Sequence, residues 1–191
     1  GQPIAVNMSL GGHMGAHDGT RPQEQLIDQL VGEGVVFCVA AGNEGESFIH
    51  DDTSANGGSL TYRMVEYQAQ PGTDNDVALV VIWVDGATSP SVTVSGGGMV
   101  VGPIGSGSVD GESGVGGTVV IDNASGGVDP ANGDKMILVQ FDDRAGIAPA
   151  ADDWSITISG GAGTAHAWQV VSTMVAGFPE SDQRYSVAMP A

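Results

Sequence analysis

The segment Trp154-Ser155-Ile156-Thr157-Ile158-Ser159 alternates large apolar residues with small hydroxyl residues. Because successive side chains of a β-strand point to opposite faces of its sheet, this alternation predicts a strand with one dry face and one wet face. No helical period of useful length occurs after about residue 58. The short strands predicted around this segment cover residues 59–67, 77–84, 91–94, 118–121, 136–141, 154–158, 165–171 and 185–189.

Turn-forming clusters separate the predicted strands, as in Gly96-Gly97-Gly98 and in the aspartate-rich residues 129–134. Many short strands with frequent turn signals predict an antiparallel β-sandwich of the jelly-roll type. Residues 102–117 are low in sequence complexity, and we expect them to form a mobile loop.

Residues 1–45 follow a different pattern, that of a strand, a helix and a second strand. Thr20 and Gln23 have the spacing of a capping box and predict where the helix begins. Residues 35–41 form a continuous apolar run, which is typical of a strand buried on both faces of a parallel sheet. The predicted fold is therefore mainly β, with a jelly-roll-like antiparallel sandwich inserted after a partial α/β segment.

The chain has 191 residues and a formal net charge of −18. Phosphate backbones and anionic membrane surfaces repel such an excess of carboxylates, so we expect neither nucleic acid nor membrane among its partners. The single cysteine, Cys38, cannot form an intrachain disulfide, and its place in an apolar run predicts a buried, inert thiol. The lone cysteine is compatible with a reducing compartment or with a secreted protein that does not rely on disulfides, and the charge favours neither strongly. Of the two, we expect an extracellular or cell-envelope location.

Two motifs, Val6-Asn7-Met8-Ser9-Leu10-Gly11-Gly12 and the run of residues 34–45 that ends in Ala-Gly-Asn-Glu-Gly, are joined by the predicted helix. Together they resemble the corresponding motifs of subtilisin-like serine proteases. The resemblance implies that Asn43 is the oxyanion-hole asparagine. It also implies a substrate-binding edge and a wall of the specificity pocket formed by Ser9, Leu10, Gly11, Gly12, Ala40, Ala41 and Gly42.

An asparagine amide beside a glycine can donate a hydrogen bond to the oxygen that becomes negative during acyl transfer. Taken alone, Ala-Gly-Asn-Glu-Gly is equally suited to a turn that ends a strand. A serine protease also needs a nucleophile, a base and an orienting acid. The resemblance places these outside the chain, because residues 172–179 only echo a nucleophile motif within a strand pattern. We therefore expect the complete protein to be a serine endopeptidase and the isolated chain to be inactive.

The resemblance also divides the chain. Residues 1–45 would belong to the catalytic core, residues 46–183 would be an inserted sandwich, and residues 184–191 would return to the core as a strand. The chain would thus be a piece of something longer, with a polypeptide substrate, the remainder of the catalytic domain and a propeptide as partners. Exposed strand edges also allow self-association.

The role of the sandwich is left open by the sequence. It could control substrate access, dock a propeptide or stabilise the core. Alternatively, it could be a binding module for carbohydrate or protein, or the whole could be a pseudoprotease scaffold. Trp83, Trp154 and Trp168 lie in apolar alternating segments, which predicts core positions rather than a sugar-binding platform.

Two kinds of residue could ligate a metal. His13, His17 and Asp18 are close in sequence, but zinc requires three or four converging ligands. The resemblance to subtilisin-like proteases implies instead that this loop borders the substrate cleft. His50-Asp51-Asp52 is expected to be a solvated turn. The acidic loops supply oxygen ligands without a complete calcium-loop spacing. We therefore expect no required cofactor, with Ca²⁺ possible as a structural ion.

Overall fold

The computed structural model describes residues 2–44, 47–85 and 88–179. These residues form one helix and thirteen strands in three sheets. In chain order the elements are β1 (Ala5–Met8), α1 (Pro22–Gly32), β2 (Val36–Val39), β3 (His50–Ser54), β4 (Gly58–Met64), β5 (Val77–Val84), β6 (Ser91–Gly96), β7 (Met99–Ile104), β8 (Val109–Gly114), β9 (Gly117–Asp122), β10 (Lys135–Asp142), β11 (Asp152–Ser159), β12 (Thr164–Ser172) and β13 (Ala176–Gly177).

Strands β3 to β13 form an antiparallel β-sandwich, as the sequence predicts. One sheet has the strand order β3-β12-β5-β10-β9-β8, and the other has the order β13-β4-β11-β6-β7. The consecutive strands β3, β4, β5 and β6 alternate between the two sheets, which is the kind of connection found in jelly rolls. The fold prediction of a mainly β chain is thus confirmed.

The main core lies between the two sheets. In β11, Trp154, Ile156 and Ile158 are fully buried, while the hydroxyl residues between them face outward. An aromatic group fills the middle of this core, because the ring of Phe141 lies 5.1 Å from that of Trp154 and 5.5 Å from that of Tyr62. Each such pair adds roughly 0.5–1.5 kcal/mol to the effect of burial alone.

The strand–helix–strand unit is built differently, because no residue between 2 and 44 is buried. Strands β1 and β2 pair in parallel, with Ala5 opposite Val36 and Met8 opposite Val39. The prediction of a strand buried on both faces is therefore wrong, and Cys38 is exposed rather than buried. Apolar composition indicates that a strand can be covered, but only neighbouring layers can cover it, and among the described residues α1 contacts β2 without burying it.

The helix begins one residue later than the capping box of Thr20 and Gln23 predicts. Arg21 is the N-cap, and its backbone N–H donates to Glu24 Oε2 at 3.0 Å. Thr20 instead donates through its backbone N–H and its hydroxyl to Asp18 Oδ1. The box is shifted because Glu24 is a better acceptor for the free N–H group than the neutral Gln23 amide.

Two segments expected to be irregular form strands. Part of the predicted mobile loop, residues 102–117, is β8, which pairs with β9 along its length. Gly111 permits this close approach, because a Cβ atom there would lie 2.7 Å from the Val119 carbonyl oxygen. The expected solvated turn at His50 is β3, which pairs with β12, and His50 is 4% exposed. The predicted strand 185–189 and the return segment 184–191 lie outside the described residues.

The described residues include no helix that is both long enough and apolar enough to span a bilayer.

Two glycines with nearly equal backbone angles allow a test of the main core. Gly97 (φ 56°) lies against Trp154, where an added Cβ would be 2.6 Å from the indole ring, whereas Gly127 (φ 61°) has open space around it. We expect Gly127→Ala to lower the free energy of unfolding by about 1 kcal/mol through backbone strain alone. Gly97→Ala should cost roughly 1–3 kcal/mol more through overpacking, measured by urea denaturation. Equal losses in the two variants would contradict this account of the core.

Candidate functional site

The candidate site lies at the carboxyl ends of β1 and β2. Because the two strands are parallel, the segments that follow them leave from the same edge of the sheet. The backbone N–H of Ala40 donates to the Met8 carbonyl oxygen at 3.0 Å, which extends the ladder by one bond beyond β2. Residues 9–12 and 40–43 therefore begin side by side, which is the arrangement expected of two segments that line one substrate cleft.

The residues of this edge are open to solvent. Leu10 is 70% exposed, and Ser9, Gly11 and Gly12 are exposed beside it. A Cβ atom added at Gly11 or Gly12 would meet nothing within 4 Å. An extended chain could therefore approach the backbone of this segment closely.

Asn43 lies at the other side of the edge, after Ala40, Ala41 and Gly42, and all four residues are exposed. Gly42 has a left-handed backbone (φ 86°), which turns the chain sharply before Asn43. The backbone N–H of Asn43 donates to Glu44 Oε2 at 2.9 Å. This bond orders the backbone on which the Asn43 amide is carried.

The nucleophile-like segment 172–179 has local structural roles. Ser172 ends β12, and its hydroxyl donates to the Met174 carbonyl oxygen at 2.8 Å. The hydroxyl of Thr173 donates to the Asn75 carbonyl oxygen at 3.1 Å. These bonds hold a turn between β12 and β13, which supports the interpretation that this motif is a coincidence.

The structure brings together a group that the sequence analysis missed. We call it the histidine–tryptophan cluster; it contains all four histidines of the chain and one indole. The ring of Trp168 lies 3.9 Å from that of His17, 4.0 Å from that of His50 and 5.8 Å from that of His13. The members are His13, His17, His50, His166 and Trp168.

One signal for this cluster was present in the sequence. His166 and Trp168 are two residues apart in β12, so they share its outer face, while Ala165 and Ala167 point into the main core. The indole of Trp168 packs with Val81 and Trp83 in a second apolar cluster, outside the main core. No local pattern connects this face to His13 or His17.

Polar contacts fix the loop between β1 and α1 beside this cluster. The guanidinium of Arg21 lies 5.7 Å from the centre of the Trp83 ring and donates to the Met14 carbonyl oxygen at 3.1 Å. The amide of Asn132 donates to Asp18 Oδ2 at 2.5 Å. Burial opposes ionisation of Asp18, but the hydrogen bonds from Thr20 and Asn132 outweigh it and lower the pKa of Asp18.

The environment of His17 disfavours its charged form. Burial is the main cause that lowers the pKa of His17 from its ordinary value of 6.5, and the neighbouring His13 is the second. A hydrogen bond to the His13 backbone opposes this effect, the charge of Arg21 adds to it, and the charge of Asp18 opposes it, but the net shift of the pKa of His17 is downward. Acidification therefore adds a charge to His17 that its surroundings disfavour.

No group of three or more His, Cys, Asp or Glu side chains converges as a metal site within the described ranges. Asp142 is fully buried and paired with Arg144 through three charge-assisted bonds, because Nε donates to both carboxylate oxygens and Nη2 donates to Oδ2. Burial and the charges of Asp76 and Asp143 raise the pKa of Tyr67 to about 12. None of these contacts tests for a bound ion, so a structural calcium ion stays a prediction.

All three tryptophans are buried: Trp154 is 0%, Trp83 5% and Trp168 7% exposed. The prediction of core positions for them is confirmed. A platform of exposed indoles for a sugar ring is thus excluded among the described strands.

The fold of this chain matches that of the CspB protease of Clostridium perfringens. The match has a TM-score of 0.74 and 22% sequence identity, and it covers 95% of this chain but only 38% of that protein. The chain thus spans well under half the length of the protease that it matches. No protein-family model and no curated protein matches the sequence.

These findings correct the resemblance drawn from the two short motifs. The described chain is nearly all β, with a single 11-residue helix, and is not a fragment of the subtilisin α/β fold. At 22% identity, the neighbouring structure establishes a shared fold and no more. What the comparison supports is a protease-related fold.

The anchoring of the loop by Arg21 can be tested directly. Arg21→Met keeps the aliphatic stem but removes the bond to Met14 and the cation beside Trp83, so the loop should open more often. We expect amide hydrogen exchange in residues 13–19 to accelerate by about tenfold, which corresponds to ~1.4 kcal/mol. Arg21→Lys, which keeps the charge without the planar fork, should give a smaller effect. Unchanged exchange in the Met variant would show that the guanidinium does not hold the loop.

Proposed function

We propose that this chain is a segment of a serine endopeptidase, and that the carboxyl edge of β1 and β2 forms part of its substrate cleft. The observation that carries the proposal is the placement of residues 9–12 beside residues 40–43 at one open edge. The fold shared with a protease over 95% of the chain supports the same reaction class.

The segment of residues 9–12 would bind the substrate as an added strand. A peptide in extended conformation gains main-chain hydrogen bonds along such an edge, and its side chains occupy pockets on alternate sides. Gly11 and Gly12 have no side chain to keep the peptide backbone away. Ala40 and Ala41 would form a pocket wall that leaves room for a large side chain.

Asn43 would stabilise the negative oxygen of the tetrahedral intermediate. Its exposed side chain lies after the turn at Gly42, next to the strand edge that would hold the substrate. The serine nucleophile, its histidine base and the orienting carboxylate would come from the remainder of the catalytic domain. That serine would attack the carbonyl carbon, and the resulting acyl-enzyme would be hydrolysed by water.

The exposed apolar surface supports the existence of such a remainder. Five large side chains of the unit are each about half exposed, on both the helix and the two-stranded sheet. A parallel sheet is normally covered on both faces, so further secondary structure is expected to pack there. These residues are Ile4, Leu26, Val31, Val36 and Val39.

The sandwich would then control the cleft from one side. It contacts the loop that follows residues 9–12 through Trp168, and its first strand, β3, follows the segment that carries Asn43. We propose that it braces these two segments and limits how substrate or propeptide enters. The acidic surface fits a protein that works in the extracellular medium or the cell envelope.

The role of Asn43 can be tested in the complete gene product. Asn43→Ala should lower kcat for a peptide substrate by about 10²–10³-fold with KM nearly unchanged, because the donor acts on the transition state. Asn56→Ala, which removes an exposed amide from a turn of the sandwich, should leave both constants unchanged. An unaltered kcat in the Asn43 variant, or a complete gene product without peptidase activity, would overturn the proposal.

A further inference from the structure

Both segments of the candidate edge lead into the histidine–tryptophan cluster. Residues 9–12 continue into the loop that carries His13 and His17, and both rings stack with Trp168. The segment that carries Asn43 continues toward β3, which begins at His50, and the ring of His50 lies 4.0 Å from that of Trp168. A single indole on the sandwich therefore contacts both connections.

We propose that the histidine–tryptophan cluster is an acid-sensitive clasp, which holds these two segments on the sandwich at neutral pH and releases the loop of residues 9–20 on acidification. The proposal rests on the proposed function in one respect only, namely that the proposed function gives the two segments a catalytic role. The clasp itself is a property of the described contacts.

The rings are too close for several of them to carry charge together. The centroids of His13 and His17 are 5.7 Å apart, and those of His50 and His166 are 5.6 Å apart. His50 Nε2 and His166 Nδ1 are 3.4 Å apart, so one nitrogen donates and the other accepts. Both nitrogens are donors in a protonated imidazole, so a second proton at this pair breaks the bond and adds repulsion.

One protonated ring could gain from the face of Trp168, since a cation is attracted to an indole. The site already has such a cation, because Arg21 lies beside Trp83 in the same apolar cluster. The attraction of one cation to an indole does not offset the mutual repulsion of several, and the desolvation that lowers the pKa of His17 opposes its ionisation.

The other charged groups around the cluster do not remove this repulsion. Asp18, from the loop, accepts bonds from Thr20 and from Asn132. The amide of Asn132 also donates to Asp134, in the turn before β10. Asp52 of β3 lies opposite His166 in the strand register and offers a carboxylate to that side of the cluster. The loop is the part that leaves, because β3 is also held by its backbone pairing with β12, whereas the loop belongs to neither sheet of the sandwich.

The direction of the pH dependence follows from His17. Its pKa is lowered in the docked loop and returns to the ordinary value of 6.5 when the loop is released. Docking is therefore fully favoured above that value and weakens as the pH falls below it. The main core between the sheets contains no histidine, so the sandwich should stay folded over the same range.

The experiment measures hydrogen exchange of the 191-residue chain by peptide mass spectrometry at pH 8.0 and 5.5, as protection factors corrected for the intrinsic rates. We expect protection in residues 9–20 to be at least about threefold lower at pH 5.5 than at pH 8.0, because the docked loop disfavours the proton that His17 takes up once it is released. Peptides from β10 and β11 should keep their protection. Equal protection of residues 9–20 at both pH values would overturn the proposal.

Two variants at one position separate ring packing from protonation. His17→Phe keeps an aromatic ring against Trp168 but cannot take up a proton, so its acid-induced loss of protection should be at least threefold smaller than that of the unmodified chain. His17→Ala removes the ring and should open the loop at both pH values. A Phe variant that opens in acid as far as the unmodified chain would also overturn the proposal. None of these readouts depends on peptidase activity, so the clasp and the proposed function can fail separately.

Discussion

The packing of one loop against the ring of Trp168 is the interaction on which the arrangement of this molecule depends. The strand–helix–strand unit buries none of its own residues between 2 and 44, so it has no core to fix its position. The sandwich has a complete core and presents Trp168 outside it, within a small apolar cluster that Met14 and Ala16 of the loop help to cover. The contact between the loop and the sandwich thus fixes the position of the candidate edge.

The charge composition explains why histidines serve at this contact. The chain has only five lysines and arginines, and three of them are engaged elsewhere: Arg63 pairs with Asp153, Arg144 with Asp142, and Lys135 with Ser106. Arg21 lies at this contact, beside Trp83. The four histidines are therefore its main reserve of positive charge. Protonation of all four would change the formal charge from −18 to −14. Protonation thus reduces the charge repulsion across the whole chain but adds repulsion among the rings of one cluster. The destabilising effect of acid is therefore confined to that cluster.

How much of the structure could be predicted depends on how far apart in the sequence the interacting residues lie. Alternation in residues 154–158 predicted a strand because the period of a strand is a local property, and the parallel pair β1 and β2 could be predicted because a helix connects them directly. Burial of Cys38 could not be predicted, since it depends on a layer that the strand does not itself supply. The contact between His50 and His166 joins residues 116 positions apart, and only the register of β3 on β12 brings them together. The residues of the candidate edge were therefore accessible to sequence reasoning, whereas the cluster behind them was not.

The candidate edge is constrained from one side only among the described residues. The histidine–tryptophan cluster holds the segments that leave the carboxyl ends of β1 and β2, while the faces of α1 and of the two strands stay open. A layer that covers Ile4, Val36 and Leu26 would fix the strands, but it would leave the loop after β1 free to move unless the cluster also held it. Two separate contacts, one apolar and one titratable, are therefore needed to define the edge. Loss of the titratable contact would alter the presentation of residues 9–12 while the fold on either side of them persists.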